Sequence, residues 1–241
     1  MENFNRSSSY IDTQAQADER SKKLVTSAFS WMALAMVITT IAAYLFSSNL
    51  SLLSLLISAQ GGLSIFGWVI MFAPIGLVLL MSARLERMSM NTLIACFVAY
   101  SAVNGISLFF IFLIYDLGSI INVFLSTVAL FGLFAAAGYF TKTDLTKLGS
   151  ILFIGLIGII IASLINFFMQ SESMGYIISI LGVIIFTGLT AYDVQKIKEM
   201  GAMMDDEGST FTKVAIMGAL RLYLDFINLF LFLLRLFGGR K

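Results

Sequence analysis

A chain of 241 residues that is 59% apolar, 12% charged and of mean hydropathy +0.94 carries more apolar surface than the core of one soluble domain can hide. Its charges, +1 in sum, fall in short clusters separated by uncharged stretches of about 20 residues, as in a polytopic helical membrane protein, and no basic run points to nucleic acid. With no histidine, His-based zinc and haem sites and Ser-His or Cys-His catalysis are excluded; with only Cys96, so are an internal disulfide and a multi-cysteine metal site.

Residues 1–23 are polar and end in Arg20, Lys22 and Lys23. They lack the apolar core of a signal peptide and read as a disordered or loosely helical cytoplasmic tail. The rest, 24–241, reads as a single domain of seven transmembrane helices. The first span is about 24–46. Between it and the second lie Ser47-Ser48-Asn49, a Leu/Ser segment with Ser51, Ser54 and Ser58 at helical spacing, and Gln60-Gly61-Gly62. The Leu/Ser segment predicts a short helix in the outer interface. The second span, about 63–83, contains Pro74, the sole proline, and ends at the cluster Arg84, Glu86, Arg87.

Further spans follow at about 91–115, 119–140, 148–169, 174–195 and 213–237. Lysine and arginine occupy the tail, the 84–87 and 142–147 loops and the 196–198 connector; the loops at 47–62, 116–118 and 170–173 have none. That alternation places the N-terminus in the cytoplasm. The seventh span breaks it, because Arg235, Arg240 and Lys241 would end outside. With Arg221, Asp225 and Asn228 it is also too polar to face lipid, so it is either enclosed by the other helices or re-entrant, and a central helix is favoured. Gly155, Gly158, Ala162, Gly132 and Ala136 predict close helix approaches, and Asn104, Asn166 and Asn228 predict interhelical hydrogen bonds.

Two aspartates interrupt successive apolar helices, Asp193 in Gly182–Lys196 and Asp225 in Leu222–Phe230. A carboxylate there costs roughly 2.5–3.5 kcal/mol on insertion scales. Burial disfavours its charged form, and a second carboxyl nearby does so further; two in contact share a proton and titrate as a unit. Protonated, such a pair joins two helices. Deprotonated, it repels or binds a cation, and calcium suits its hard oxygens, weakly and transiently, with Asn228 and backbone carbonyls in support. Simpler readings stand beside this one. Asp193 could pair with Lys196 as an interfacial charge, Asp225 with Arg221 one turn before it, and the Arg84–Arg87 cluster could be a cytoplasmic loop. A hydrolase with two intramembrane aspartates is disfavoured, since a Gly-x-Gly-Asp context is missing.

The stretches Phe186-Thr-Gly-Leu-Thr-Ala-Tyr-Asp193-Val-Gln-Lys-Ile-Lys198 and Leu222-Tyr-Leu-Asp225-Phe-Ile-Asn-Leu-Phe230 through Arg235, with Gly138-Tyr-Phe-Thr-Lys-Thr-Asp144 and Gly149-Ser, resemble the Bax inhibitor-1 family, in its bacterial branch. The resemblance runs from about residue 24 to the end. It implies a last helix wrapped by two three-helix layers and a non-enzymatic, pH-sensitive calcium leak. It further implies that Asp193 and Asp225 form the pH sensor and that an arginine latches Asp193. Gap-free matching on Gly105-Ile-Ser-Leu108 points to Arg87, with Arg84 one turn away. Arg221 departs from the family, where an uncharged residue is usual. Some bacterial relatives interact with a membrane-anchored ATP-dependent protease, which makes a regulator that binds a membrane partner the alternative role. The implied setting is the bacterial inner membrane, with calcium and protons as the ions handled and no bound cofactor.

Overall fold

The computed structural model describes residues 2–58, 62–84, 87–204 and 208–241, with side chains from residue 14 onward. Gln60, Gly61 and Glu86, named above, lie outside them. The elements are helices: α1 (Glu2–Ser48), α2 (Leu50–Leu56), α3 (Ile65–Arg84), α4 (Met90–Ser107), α5 (Phe109–Ile114), α6 (Leu117–Phe140), α7 (Thr146–Met169), α8 (Glu172–Met203) and α9 (Ser209–Phe237). Seven spans are long and apolar enough to cross a membrane: α1 from Gln14, α3, α4 with α5, α6, α7, α8 and α9. The chain is an all-α polytopic membrane protein.

Three features depart from the sequence reading. The polar tail and the first span form one helix, because neither Gly nor Pro occurs before Gly61 to interrupt it. The third span is broken at Leu108, whose N–H bonds the carbonyls of Asn104 and Gly105. Ser107 donates its hydroxyl to the Asn104 carbonyl at 2.7 Å, a local bond that competes with a continuing helix. And α8 runs on to Met203, well past the apolar stretch. The short helix foreseen in the Leu/Ser segment is α2, started by Asn49, whose side chain accepts the N–H of Ser51 at 3.0 Å and of Leu52 at 3.4 Å.

The chain forms two compact units. Unit 1 comprises Met1–Ser30 and Leu125–Leu236; unit 2 comprises Trp31–Phe124 and Phe237–Lys241. In unit 1 the end of the polar tail is packed, not free: Ser21 is buried and donates to the Lys198 carbonyl at 2.9 Å. α6 meets α8 at Gly138, where an added Cβ would collide with the Ala191 backbone. A glycine is required there because only its missing side chain lets the two backbones come so close.

In unit 2, α1 and α4 are joined by the buried Thr39 hydroxyl, which donates to the Ser101 carbonyl at 2.9 Å, and by Trp31 edge-on to Phe97. The C-terminal tail folds back on the α5–α6 turn. Asp116 donates its N–H to the Gly239 carbonyl, Lys241 donates its own to the Ile114 carbonyl, and Tyr115 and Arg240 form a bridge. The seventh span is an unbroken helix of 29 residues, roughly 43 Å long, which is long enough to cross a bilayer.

Two expectations fail in detail. Gly132 and Gly158 are exposed, and a methyl group on either would meet nothing within 4 Å; of these positions it is Gly155 that faces a neighbouring helix, at Ile185. The Asn166 and Asn228 amides serve their own chain segment instead of bridging helices. Asn166 Oδ1 accepts the Ser171 N–H at 3.1 Å, closing the end of α7, and Asn228 Nδ2 donates to the Leu224 carbonyl at 2.8 Å.

Candidate functional site

The site lies within unit 1, where α7, α8 and α9 converge. Gly149 near the start of α7 allows the Tyr192 ring to lie directly against the α7 backbone; a Cβ there would strike the ring. One turn further along, Gly188 receives Leu152 in the same way. These two contacts draw α7 and α8 together and fix the rotation of α8 that aims Asp193, next to Tyr192, toward α9.

On α9, Arg221, Leu224, Asp225 and Asn228 recur at helical spacing and line one stripe of the same cleft. Leu222, Tyr223 and Leu229, off that stripe, are fully buried. The cleft has a volume of about 840 Å³. Its walls are Phe153, Ile154 and Ile160 of α7 and Phe186 and Leu189 of α8.

Asp193 and Asp225, 32 residues apart in the chain, lie close enough for each carboxyl to act on the other. Asp225 is 5% exposed, and its Oδ2 is buried with no hydrogen-bond partner. Two ionised carboxylates at that range repel, and neither can donate; one proton between them converts the contact into a hydrogen bond. Arg221 is the cation that lines the cleft, and its charge acts on both carboxyls.

The simpler reading of Asp193 as a partner of Lys196 does not hold. Lys196 bonds Glu199 Oε2 at 2.8 Å and lies over the Tyr192 ring. Asp225 has Arg221 one turn before it, but the Arg221 charge acts on Asp193 as well. Arg84 closes α3 and Arg87 follows it; both are exposed and belong to unit 2. Asn228 lines the cleft with its Nδ2 committed to Leu224, leaving Oδ1 as a possible oxygen ligand.

The cleft's oxygen donors toward a cation are the two carboxyls, Asn228 Oδ1 and Ser150. Calcium takes six to eight oxygens, so a calcium ion entering here would keep much of its water and be held weakly. Among the described residues no set of three or more His, Cys, Asp or Glu side chains comes together.

Sequence reasoning missed Gln195 and Lys198. Gln195 Nε2 donates to the Thr143 carbonyl and its Oε1 accepts the Leu145 N–H, both at 2.8 Å. Lys198 Nζ donates to the Tyr139 carbonyl at 2.8 Å and sits 5.0 Å from the centre of the Tyr139 ring. Together they clamp the α6–α7 loop to α8, a turn beyond Asp193. A legible signal existed: Gln195 follows Asp193 by two residues at the end of an apolar run, where an amide needs partners.

Comparisons with known proteins bear on the family of the chain. A family model described as inhibitor of apoptosis-promoting Bax1 matches residues 21–241. The chain is 38% identical over its full length to the full length of the inner membrane protein YbhL of Escherichia coli K12. It is 44% identical to an uncharacterized protein of Borreliella burgdorferi over 91% of this chain and 93% of that one, and 41% identical to the uncharacterized protein RP147 of Rickettsia prowazekii over 93% and 92%. The matches span all seven membrane helices and both aspartate-bearing stretches, and the chain therefore belongs to the Bax inhibitor-1 family of membrane proteins.

Proposed function

We propose that this protein is a pH-sensitive leak channel for calcium, gated by the proton shared between Asp193 and Asp225. The observation that carries the reading is the meeting of these two carboxyls, from separate helices, inside a cleft large enough for a hydrated ion. With one proton on the pair, a short hydrogen bond ties α8 to α9. Without it, two like charges push the helices apart and leave hard oxygen ligands for a divalent cation. The protein acts by binding and passage, without covalent chemistry. Its place is a bacterial inner membrane, a setting supported by the name of the Escherichia coli relative, with the N-terminus in the cytoplasm as the basic loops indicate.

The test is calcium efflux from proteoliposomes measured across a range of pH. Flux through the wild-type protein is expected to vary with pH. Asp193→Asn and Asp225→Asn each remove one member of the pair and are expected to flatten that dependence. Flux curves that superimpose on the wild type in both variants would reject the gate.

A further inference from the structure

Three features of the cleft suit an occupant other than an inorganic ion. First, Asp225 Oδ2 is buried and lacks a donor. Second, the charges do not balance when the pair is ionised: two carboxylates face one guanidinium, Arg221. The wall from α7 adds only Ser150 among polar side chains, and α8 adds Tyr192. Third, the space is large and its walls are mostly apolar. About 840 Å³ falls within the range of small organic ligands, roughly 300–1,000 Å³. Phe153, Ile154 and Ile160 on its α7 wall are 59%, 70% and 59% exposed, so the wall belongs to a helix that faces the bilayer.

We propose that this cleft is a binding site for an amphiphilic ammonium ion, with its N–H on the carboxyl pair and its alkyl chain along the walls of α7 and α8. A bare metal ion needs six to eight oxygens, more than this site offers. An ammonium N–H needs one acceptor, and Asp225 Oδ2 is one without a donor. The ligand also supplies the missing positive charge. It reaches the cleft from the lipid phase, where its chain already partitions.

An alkylammonium, like lysine, keeps its own proton up to about pH 10, so the ligand enters as a cation. The other polar groups lining the cleft are Ser150 from α7, Tyr192 from α8 and Arg221 and Asn228 from α9. The inference shares the acid pair with the proposed gate but does not require that the protein conduct ions.

The experiment is equilibrium binding of radiolabelled N,N-dimethyldecylamine to the full chain in phosphatidylcholine nanodiscs, with empty nanodiscs subtracted. Decyltrimethylammonium is the control, because it has the same chain and charge but no N–H. Saturable binding of the tertiary amine is expected, weakened about tenfold or more in the quaternary compound and in Asp225→Asn, for loss of a charge-assisted hydrogen bond. Ile160→Trp fills the wall without touching the pair and is expected to weaken binding too.

Equal binding of the two compounds overturns the proposal, as does binding unchanged in Asp225→Asn or in Ile160→Trp, or none above empty nanodiscs. Amine binding without calcium flux would reject the channel reading alone. Flux without amine binding would reject only this inference.

Discussion

α7 and α9 form two walls of one cleft, and their burial runs against their polarity. Between Ser150 and Met169, α7 has no charged residue, yet only 11% of its most apolar 18-residue window is inside the protein. α9 carries Arg221, Asp225, Asn228 and Arg235, yet 67% of its window is inside. In a water-soluble fold the order would be reversed. Here the solvent is hydrocarbon, so an all-apolar helix is content at the surface, while a helix with charges must be covered by protein. The difference explains why the polar machinery sits on the last helix and why α7 contributes shape and not charge.

Truncations give the largest contrast. Leu222 is fully buried on α9, and Leu222→Ala is expected to destabilise by about 2–5 kcal/mol. Ile154 on α7 is 70% exposed, and Ile154→Ala is expected to stay within about 0.5 kcal/mol. Unfolding in detergent micelles measures both, and equal losses would break the comparison.

The glycines of α7 sharpen it at intermediate size. Gly149→Ala forces a methyl group into the Tyr192 ring and is expected to cost about 1–3 kcal/mol. Gly158→Ala meets open space and is expected to be neutral or to stabilise by up to about 1 kcal/mol through helix propensity. Thermal unfolding of the two variants side by side decides it. A loss at Gly158 would show that the outer face of α7 is covered after all.

The smallest effect lies at the start of α7, outside the membrane. Bonds from the Thr146 hydroxyl and backbone N–H hold the exposed Asp144 carboxyl below the usual carboxylate range. A lowered value in the folded state means that the charged form favours folding. That contribution is present above the unfolded value of about 3.9 and is lost as pH falls through the folded one. The stability difference between wild type and Asp144→Ala is therefore expected to shrink on acidification below about pH 4. A difference that grows on acidification would reverse the sign.

Much of this architecture was legible in the residues. The spans follow from uncharged stretches of the right length, and the aspartates stand out because charge in such stretches is costly. α2 was readable because leucines alternate with serines at helical spacing after Asn49. The break at Leu108 was not readable, since Gly105 and Ser107 are common inside membrane helices and only the local bond at Asn104 ends the turn. Nor was the helical continuity of the tail, because its polar composition fits disorder as well as an extension that packs Ser21 on α8.

The sequence by itself determined that the chain is a seven-span membrane protein with two acidic side chains at membrane depth, because hydrocarbon penalises charge strongly enough to mark each exception. Tertiary structure decided which side chains meet. Asp193 and Asp225 line one cleft, where Gly149 admits Tyr192 beside Asp193, and Arg221 joins them because it shares the stripe of Asp225 on α9. It also decided that Gly138 and Gly149 are contact points while Gly132 and Gly158 face open space. Hydropathy reports the depth of a residue but not the direction it faces, and facing is set by which helices pack together.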